Sequence, residues 1–265
     1  MKTCLVIGAK GFIGSAILAE ANRRGYDTLG IDLDNIEAHR GASADLMINA
    51  AGNARKFIDD QNPRQGFDLS VSAVMQLLQD FKATRLVHLS SGAIYPDEGH
   101  PENNHEDTSL RPEAMTHYGF HKWLAEHVVR HWHPEALVVR MGGFVGPGLK
   151  KNAIYDLLSG GPLFVHPDSA FQFLDTRDLA RLVFDLCEGA AANARLLNLS
   201  ARGVITVREA AALAGRDVPE EAFTRPVIRA ELNVAKAASL IPLPETAVTV
   251  QQFIKDVQQG TLTLP

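Results

Sequence analysis

The sequence predicts an α/β fold in which helices cover both faces of a parallel sheet. Three observations predict it. Short apolar runs alternate with helically periodic stretches, as in chains built from strand–helix–strand units. The runs are almost continuously apolar, the pattern of strands buried on both faces. The alternation continues from the first residues to about residue 148, with no internal repeat and no low-complexity segment.

Each element follows from its own residues. "TCLVIGA" is an apolar run closed by glycine and reads as the first strand. "GSAILAEANRRGY" has helical periodicity and stops at Gly25. "DTLGIDLDN" is a second strand ending in acids, "DLMINAAG" (45–52) a third and "TRLVHLSSGAIY" (84–95) a fourth. The helix between the last two is "DLSVSAVMQLLQDF". "THYGFHKWLAEHVVRHW" (116–132) is the next helix, and "ALVVRMGGFVGPG" is a strand that runs into a glycine-rich loop. Beyond Gly148 the alternation loosens. "RLLNLSARGVITVREAAALAG" predicts a strand, then a helix opened by a Thr206–Glu209 capping box. The proline-spaced stretch from Val218 to Pro244 predicts irregular structure, and "TVQQFIKDV" a last short helix.

Composition narrows the function classes. The chain has 265 residues, 46% of them hydrophobic and 22% charged, ordinary values for a globular protein. Its formal net charge is -5 and it has no long basic run, which argues against nucleic acid as a partner. No apolar run is long enough for a bilayer, so no membrane partner is expected. "MKTCLVIGAKGFIGS" lacks a signal-peptide cleavage site. Cys4 and Cys187 form no C-x-x-C and lie in apolar segments, so buried free thiols and a cytoplasmic location are expected.

The chemistry starts with "GAKGFIG". Gly8, Gly11 and Gly14 are spaced G-x-x-G-x-x-G between a strand and a helix. Glycines there let the turn form, let backbone approach a pyrophosphate and let helix and strand pack closely, while the helix N-terminus faces the phosphates. Taken alone, the spacing fits either a tight strand–helix turn or the phosphate loop of a Rossmann-type, doubly wound sheet. Asp32 closes the second strand at the distance expected of an adenosine-ribose ligand, and its charge repels a 2′-phosphate. That favours NAD over NADP. Lys10 and Arg40 are cations that could offset a phosphate charge, unless they are ordinary surface residues.

Tyr118 and Lys122 lie one helical turn apart, downstream of Ser90 and Ser91 at a strand end. The same helix holds His117 with His121 and His127 with His131 at i,i+4 spacing. A zinc site would need further ligands, and no cysteine or carboxylate cluster offers them. No metal site is therefore expected: if Tyr118 and Lys122 face the cofactor, His117 is rotated away and His121 sits at the edge of that face, while His127, His131 and His133 read as solvated or helix-end residues.

In order along the chain, "GAKGFIG", "INAAG", "LSSGAIY", "YGFHK", "VRMGGFVGPG" and "FQFLDTRDLARLV" resemble the extended short-chain dehydrogenase/reductase superfamily, in its NAD-dependent epimerase/dehydratase branch. The resemblance implies Tyr118 as the general acid/base and Lys122 as the cation that lowers its pKa and binds the nicotinamide ribose. It implies Ser91 as the hydrogen-bond partner of the substrate oxygen. Cofactor contacts would come from Gly8, Gly11, Phe12, Ile13, Gly14, Asp32, Ala50, Ala51, Gly52, Tyr118, Lys122 and Val145. A dinucleotide-binding domain is expected over 1–148 and 173–190, with a small substrate-binding lobe over 149–172 and 191–265. A homodimer through helices 68–81 and 117–133 is implied by the same analogy.

The chain also departs from the family. Only Asp34 to Ala44 connect the second and third strands, so the family's usual extra strand–helix unit is missing or reduced, which leaves the second strand near the sheet edge. Gly92 and Ala93 stand where dehydratases carry an Asp-Glu pair, which disfavours elimination of water. Phe171 stands nearest the position of an arginine that meets diphosphates. Arg177 and Asp178 read as a helix-start ion pair.

The expectation is an NAD-dependent oxidoreductase acting on a secondary alcohol or ketone of a sugar-like or sugar-nucleotide substrate. The alternatives are an epimerase that keeps its NAD bound and, in another class, a non-catalytic dinucleotide sensor.

Overall fold

The computed structural model describes residues 1–53, 55–189 and 193–265. In chain order the strands are β1 (Thr3–Ile7), β2 (Asp27–Ile31), β3 (Ser43–Asn49), β4 (Lys82–Leu89), β5 (Leu137–Met141), β6 (Gly143–Val145), β7 (Ala170–Phe171), β8 (Phe173–Asp175), β9 (Leu196–Leu199), β10 (Ile205–Thr206) and β11 (Arg229–Ala230). The helices are α1 (Gly14–Arg23), α2 (Lys56–Gln61), α3 (Pro63–Phe67), α4 (Ala73–Asp80), α5 (His117–Trp132), α6 (Ala153–Ser159), α7 (Thr176–Glu188), α8 (Val207–Ala214), α9 (Ala235–Ala238) and α10 (Thr246–Gln258).

Two compact units result. The first holds 1–96, 106–141 and 180–198; the second holds 97–105, 142–179 and 199–265. This division differs from the expected one at 97–105, 142–148, 173–179 and 193–198. The expected boundary at 190/191 falls outside the described residues.

The first unit is built on a six-stranded sheet of order β2-β1-β3-β4-β5-β9. β1 pairs in parallel with β2 and with β3, β3 with β4, and β4 with β5. Leu5, Ile7, Met47, Leu78, Phe81, Leu86, Val129 and Val138 form one buried cluster in this unit. Burying side chains of this size contributes about 1.5–3 kcal/mol each, the main force that holds the layers together. Between β2 and β3 the chain makes only a 3₁₀ turn, Ile36–His39, so β2 is an edge strand, as the short connection predicts. Strand 196–199, expected in the small lobe, instead forms the opposite edge next to β5. The expected helix 68–81 is present, but its first turn, Asp68–Ser72, is π-helical.

In the second unit β6 pairs in parallel with β8, and β7 lies between β10 and β11. The predicted capping box closes: Thr206 Oγ1 accepts from the Glu209 N–H, and Glu209 accepts from the Thr206 N–H. Arg177 takes part in ion pairs at the start of α7. It pairs with Asp175 and Asp256, because Asp175 accepts from the Arg177 N–H at the start of α7 and lies within reach of the guanidinium. Cys4 is buried, whereas Cys187 is only half-buried. Burial pushes both thiols up, to about 12 and about 11. No helix among the described residues is long and apolar enough to cross a membrane.

Candidate active site

The order β2-β1-β3 reverses direction at β1, and open α/β sheets bind ligands outside the carboxyl ends of their strands at such a point. Here the glycine loop follows β1. The N–H groups of Gly8 and Ala9 donate to Ile31 O at 2.8 and 3.1 Å, and the N–H of Gly11 donates to Gly8 O at 3.0 Å. A Cβ on Gly14 would lie 2.0 Å from Gly8 O, and one on Gly8 (φ 79°) 2.9 Å from Ala51 Cα. Only glycine fits either position. Phe12 and Ile13 lead into α1, which has no side-chain cap and no acidic residue in its first turn. The dipole of its N-terminus suits an anion such as a pyrophosphate.

Two further strand ends frame this loop. The Ala50 N–H donates to Ile7 O at 3.0 Å, and the Ala51 N–H to Asn49 Oδ1 at 3.0 Å, which ties the 50–52 turn to β1. Asp32, just past β2, accepts from the N–H groups of Lys10 (2.9 Å) and Leu33 (2.8 Å). The two cations that could receive a 2′-phosphate are committed elsewhere. Lys10 pairs with Asp34, and Arg40 with Glu37 and Asp80. The crevice therefore carries the donor set and the carboxylate that fit a dinucleotide with free ribose hydroxyls.

The tyrosine–lysine pair comes from α5. Thr116 caps the helix by accepting from the Gly119 N–H. Tyr118 and Lys122 are buried on it, 8% and 7% exposed, and the Lys122 ammonium lies 5.6 Å from the Tyr118 ring centroid. A Cβ on Gly52 would fall 2.9 Å from Lys122 Nζ, so the glycine after β3 makes room for the ammonium. Ser91 sits past the end of β4 and caps the turn Gly92–Ile94, its Oγ accepting from the Ala93 N–H at 3.2 Å. That turn abuts the first turn of α5 so closely that a Cβ on Gly119 would lie 2.2 Å from Ala93 O. The first unit thus gathers the glycine loop, 50–52, Asp32, Ser91, Tyr118 and Lys122. Val145 is buried on β6 of the second unit.

The helix also carries residues that sequence reasoning missed. His121 was expected at the edge of the functional face. It is buried instead, and its Nδ1 donates to Asp59 Oδ1 at 2.6 Å. Glu126, one turn beyond Lys122, pairs with Arg140 at 2.8 Å and accepts from Ser90 Oγ at 2.6 Å. Arg140 also donates to Tyr95 Oη, which in turn donates to Asn198. The sequence signal for this network was a lone arginine within the apolar run "ALVVRMGG". His88 on β4 accepts at Nδ1 from Asn49 Nδ2 at 3.1 Å, the only assignment left once Asn49 Oδ1 takes the Ala51 N–H. Burial, with Lys122 nearby, pushes its pKa down to about 3. His127 and His131 are exposed, as expected.

Comparison with known proteins bears on the family and the fold. The model of the NAD dependent epimerase/dehydratase family matches residues 4–199. The chain is 27% identical over 185 residues to N-acetyl-alpha-D-glucosaminyl-diphospho-ditrans,octacis-undecaprenol 4-epimerase of Escherichia coli O157:H7. That match covers 58% of this chain and 52% of the relative, so the chain spans about half the length of the curated relative it matches. RMD from Pseudomonas aeruginosa, complexed with NADPH, superposes with a TM-score of 0.77 at 17% identity, covering 98% of this chain and 100% of that one. A mutant of UDP-glucuronic acid 4-epimerase from Bacillus cereus, in complex with UDP-4-deoxy-4-fluoro-glucuronic acid and NAD, gives 0.75 at 16%, covering 96% and 99%. At these identities the two structures speak to fold alone.

Proposed function

Because the chain belongs to the NAD dependent epimerase/dehydratase family through residues 4–199, we propose that it is an NAD-dependent oxidoreductase acting on a secondary alcohol or ketone of a sugar-like substrate. One observation carries the reading: Lys122 is held against Tyr118 on the helix that packs on the Ser91 turn. NAD, when bound, takes up or gives back the hydride. Ser91 holds the substrate oxygen through its hydroxyl. Tyr118 accepts the hydroxyl proton in oxidation and returns it in reduction. Lys122 sets its ammonium beside the phenol ring and holds the nicotinamide ribose.

Gly8, Gly11, Phe12, Ile13 and Gly14 cradle the pyrophosphate in this reading. Asp32 accepts from the adenosine ribose, and Ala50, Ala51 and Gly52 line the crevice. The first unit is the dinucleotide-binding domain and the second the substrate lobe. A homodimer through α4 and α5 belongs to the same reading, supported by Met75 and Trp132, 44% and 42% exposed on them.

Tyr118→Phe tests the mechanism. Turnover of NAD(H) with a panel of keto-sugars and their nucleotide-linked forms should fall by roughly 10²–10⁴, the span for a positioned acid/base. Cofactor affinity should stay close to wild type, whereas Lys122→Ala should damage both. Near-normal turnover in Tyr118→Phe removes the assignment. The 27%-identical 4-epimerase supports a second reading, in which one carbon is oxidised and re-reduced while NAD stays bound.

A further inference from the structure

The turn that carries Ser91 is held at both ends by one buried ion pair. Ser90, the residue before it, donates from Oγ to Glu126 Oε1 at 2.6 Å, and its N–H donates to Val139 O at 2.7 Å. Tyr95, the residue after the turn, accepts at Oη from Arg140 Nη1 at 2.9 Å and donates to Asn198 Oδ1 at 2.9 Å. Arg140 binds Glu126 through Nη2 at 2.8 Å and Nε at 3.1 Å. Ser90, Tyr95, Glu126 and Arg140 are each between 1% and 3% exposed.

A guanidinium and a carboxylate joined by two parallel bonds share one plane at a fixed separation. Here that plane joins α5 to β5. Two polar positions left over on the pair, a carboxylate lone pair and the Nη1 donor, are taken by the residues on either side of 91–94. Tyr118, Lys122 and Glu126 follow one another at four-residue spacing, so Glu126 rides on the same rigid helix as the tyrosine and lysine. The turn is therefore fixed to α5 at two points, by its close approach to Gly119 and by its bonds to the ion pair. A buried ion pair is a weak stabiliser, because desolvation offsets its attraction, and apolar side chains can hold such a place as well. What the pair supplies here is a fixed geometry.

We propose that Glu126 and Arg140 are positioning residues, which act through Ser90 and Tyr95 to hold the Ser91 hydroxyl at its working distance from the Tyr118 phenol. The inference rests on the reading of Ser91 and Tyr118 as the two groups that meet the substrate oxygen. It adds what sets their separation. Neither member of the pair touches the reacting atoms.

The test uses Ser90→Ala and Tyr95→Phe, each of which removes one hydroxyl and spares the ion pair. Both are made in wild type and in Ser91→Ala. The probes are UDP-glucose and UDP-glucuronate with NAD, and dTDP-4-keto-6-deoxyglucose with NADH, of which the one that wild type turns over fastest is followed. In wild type each substitution should lower kcat by roughly 10-fold, the cost of displacing a reacting group by a fraction of an ångström. KM and NADH affinity should stay unchanged. In Ser91→Ala, whose own kcat is already low, the same substitutions should lower kcat no further, because the group they position is gone. They should still lower the urea midpoint there as much as in wild type. Unchanged kcat in Ser90→Ala or in Tyr95→Phe overturns the proposal. A fall repeated in full in Ser91→Ala also overturns it, since that marks a general loosening of the fold, and it leaves the reading of Ser91 in place. Normal turnover in Ser91→Ala alone, or no turnover of any probe by wild type, removes that reading and the proposal with it.

Discussion

His88 couples a single ring to the pH dependence of the whole fold. Its Nδ1 accepts a hydrogen bond from Asn49 Nδ2, and its Nε2 is buried with no protein partner among the described residues. A second proton would put a charge into the core close to Lys122. The folded protein therefore binds that proton only near pH 3. The unfolded chain binds it near the ordinary value of about 6.5. Between these limits the unfolded state holds more protons, so stability falls as pH falls, by up to about 1.4 kcal/mol per pH unit. Glu20, lowered to about 2 by Arg23 and Arg24, adds its own loss only below about pH 4.5. In the window from about 6.5 down to about 4.5, His133, lowered by burial, adds to this slope and His100, raised by Glu102 and Asp97, opposes it, so the share of His88 is the part that its replacement removes. His88→Gln should flatten the urea-derived stability curve there, although its stability at pH 8 should be lower. A curve as steep as that of wild type would remove the argument.

α5 does three jobs, and its length of 16 residues is what makes this possible. Tyr118 and Lys122 are the proposed acid/base pair, His121 ties the helix to Asp59 on α2, and Glu126 binds Arg140 and Ser90. The last of these anchors the helix to β4 and β5, the strands that precede and follow it. Both partners are buried, so removing one leaves an unpaired charge. Glu126→Ala should cost about 3–5 kcal/mol in denaturant unfolding, and the Glu126→Leu, Arg140→Met double variant much less, because no charge is then stranded. Equal costs for the two would mean that packing rather than charge holds the helix. The same element explains what was legible in the sequence. Tyr118 and Lys122 lie one turn apart, so periodicity alone puts them on one face. His121 and Asp59 are 62 residues apart, and nothing local to either residue announces the other. Glu126 and Arg140 meet only after β5 has returned beside β4. Contacts within an element were readable, and contacts between elements needed the topology.

Topology was readable where connection lengths left no choice. Ten or so residues cannot cross over between parallel strands and add another strand–helix unit, so β2 had to be an edge. By contrast 196–199 has the same local pattern in either sheet, and only pairing beside β5 decides where it goes. Segment 97–105 contains a 3₁₀ turn and no regular element, and no periodicity reveals that it belongs with the second unit. The edge position of β2 has a consequence for the chemistry. The adenosine end of the crevice meets a single 3₁₀ turn, Ile36–His39, where a full crossover helix would otherwise stand. An epimerase must keep its reduced cofactor and its keto intermediate bound between two hydride transfers. A net dehydrogenase or reductase must let the cofactor leave after one. The thin cover on this side suits the second requirement, so the protein should lose its dinucleotide on gel filtration. Its turnover should depend on added NAD(H), with one cofactor consumed per substrate converted. Protein that emerges with stoichiometric bound dinucleotide, and interconverts two stereoisomers with no net change in NADH, would reverse the assignment in favour of the epimerase.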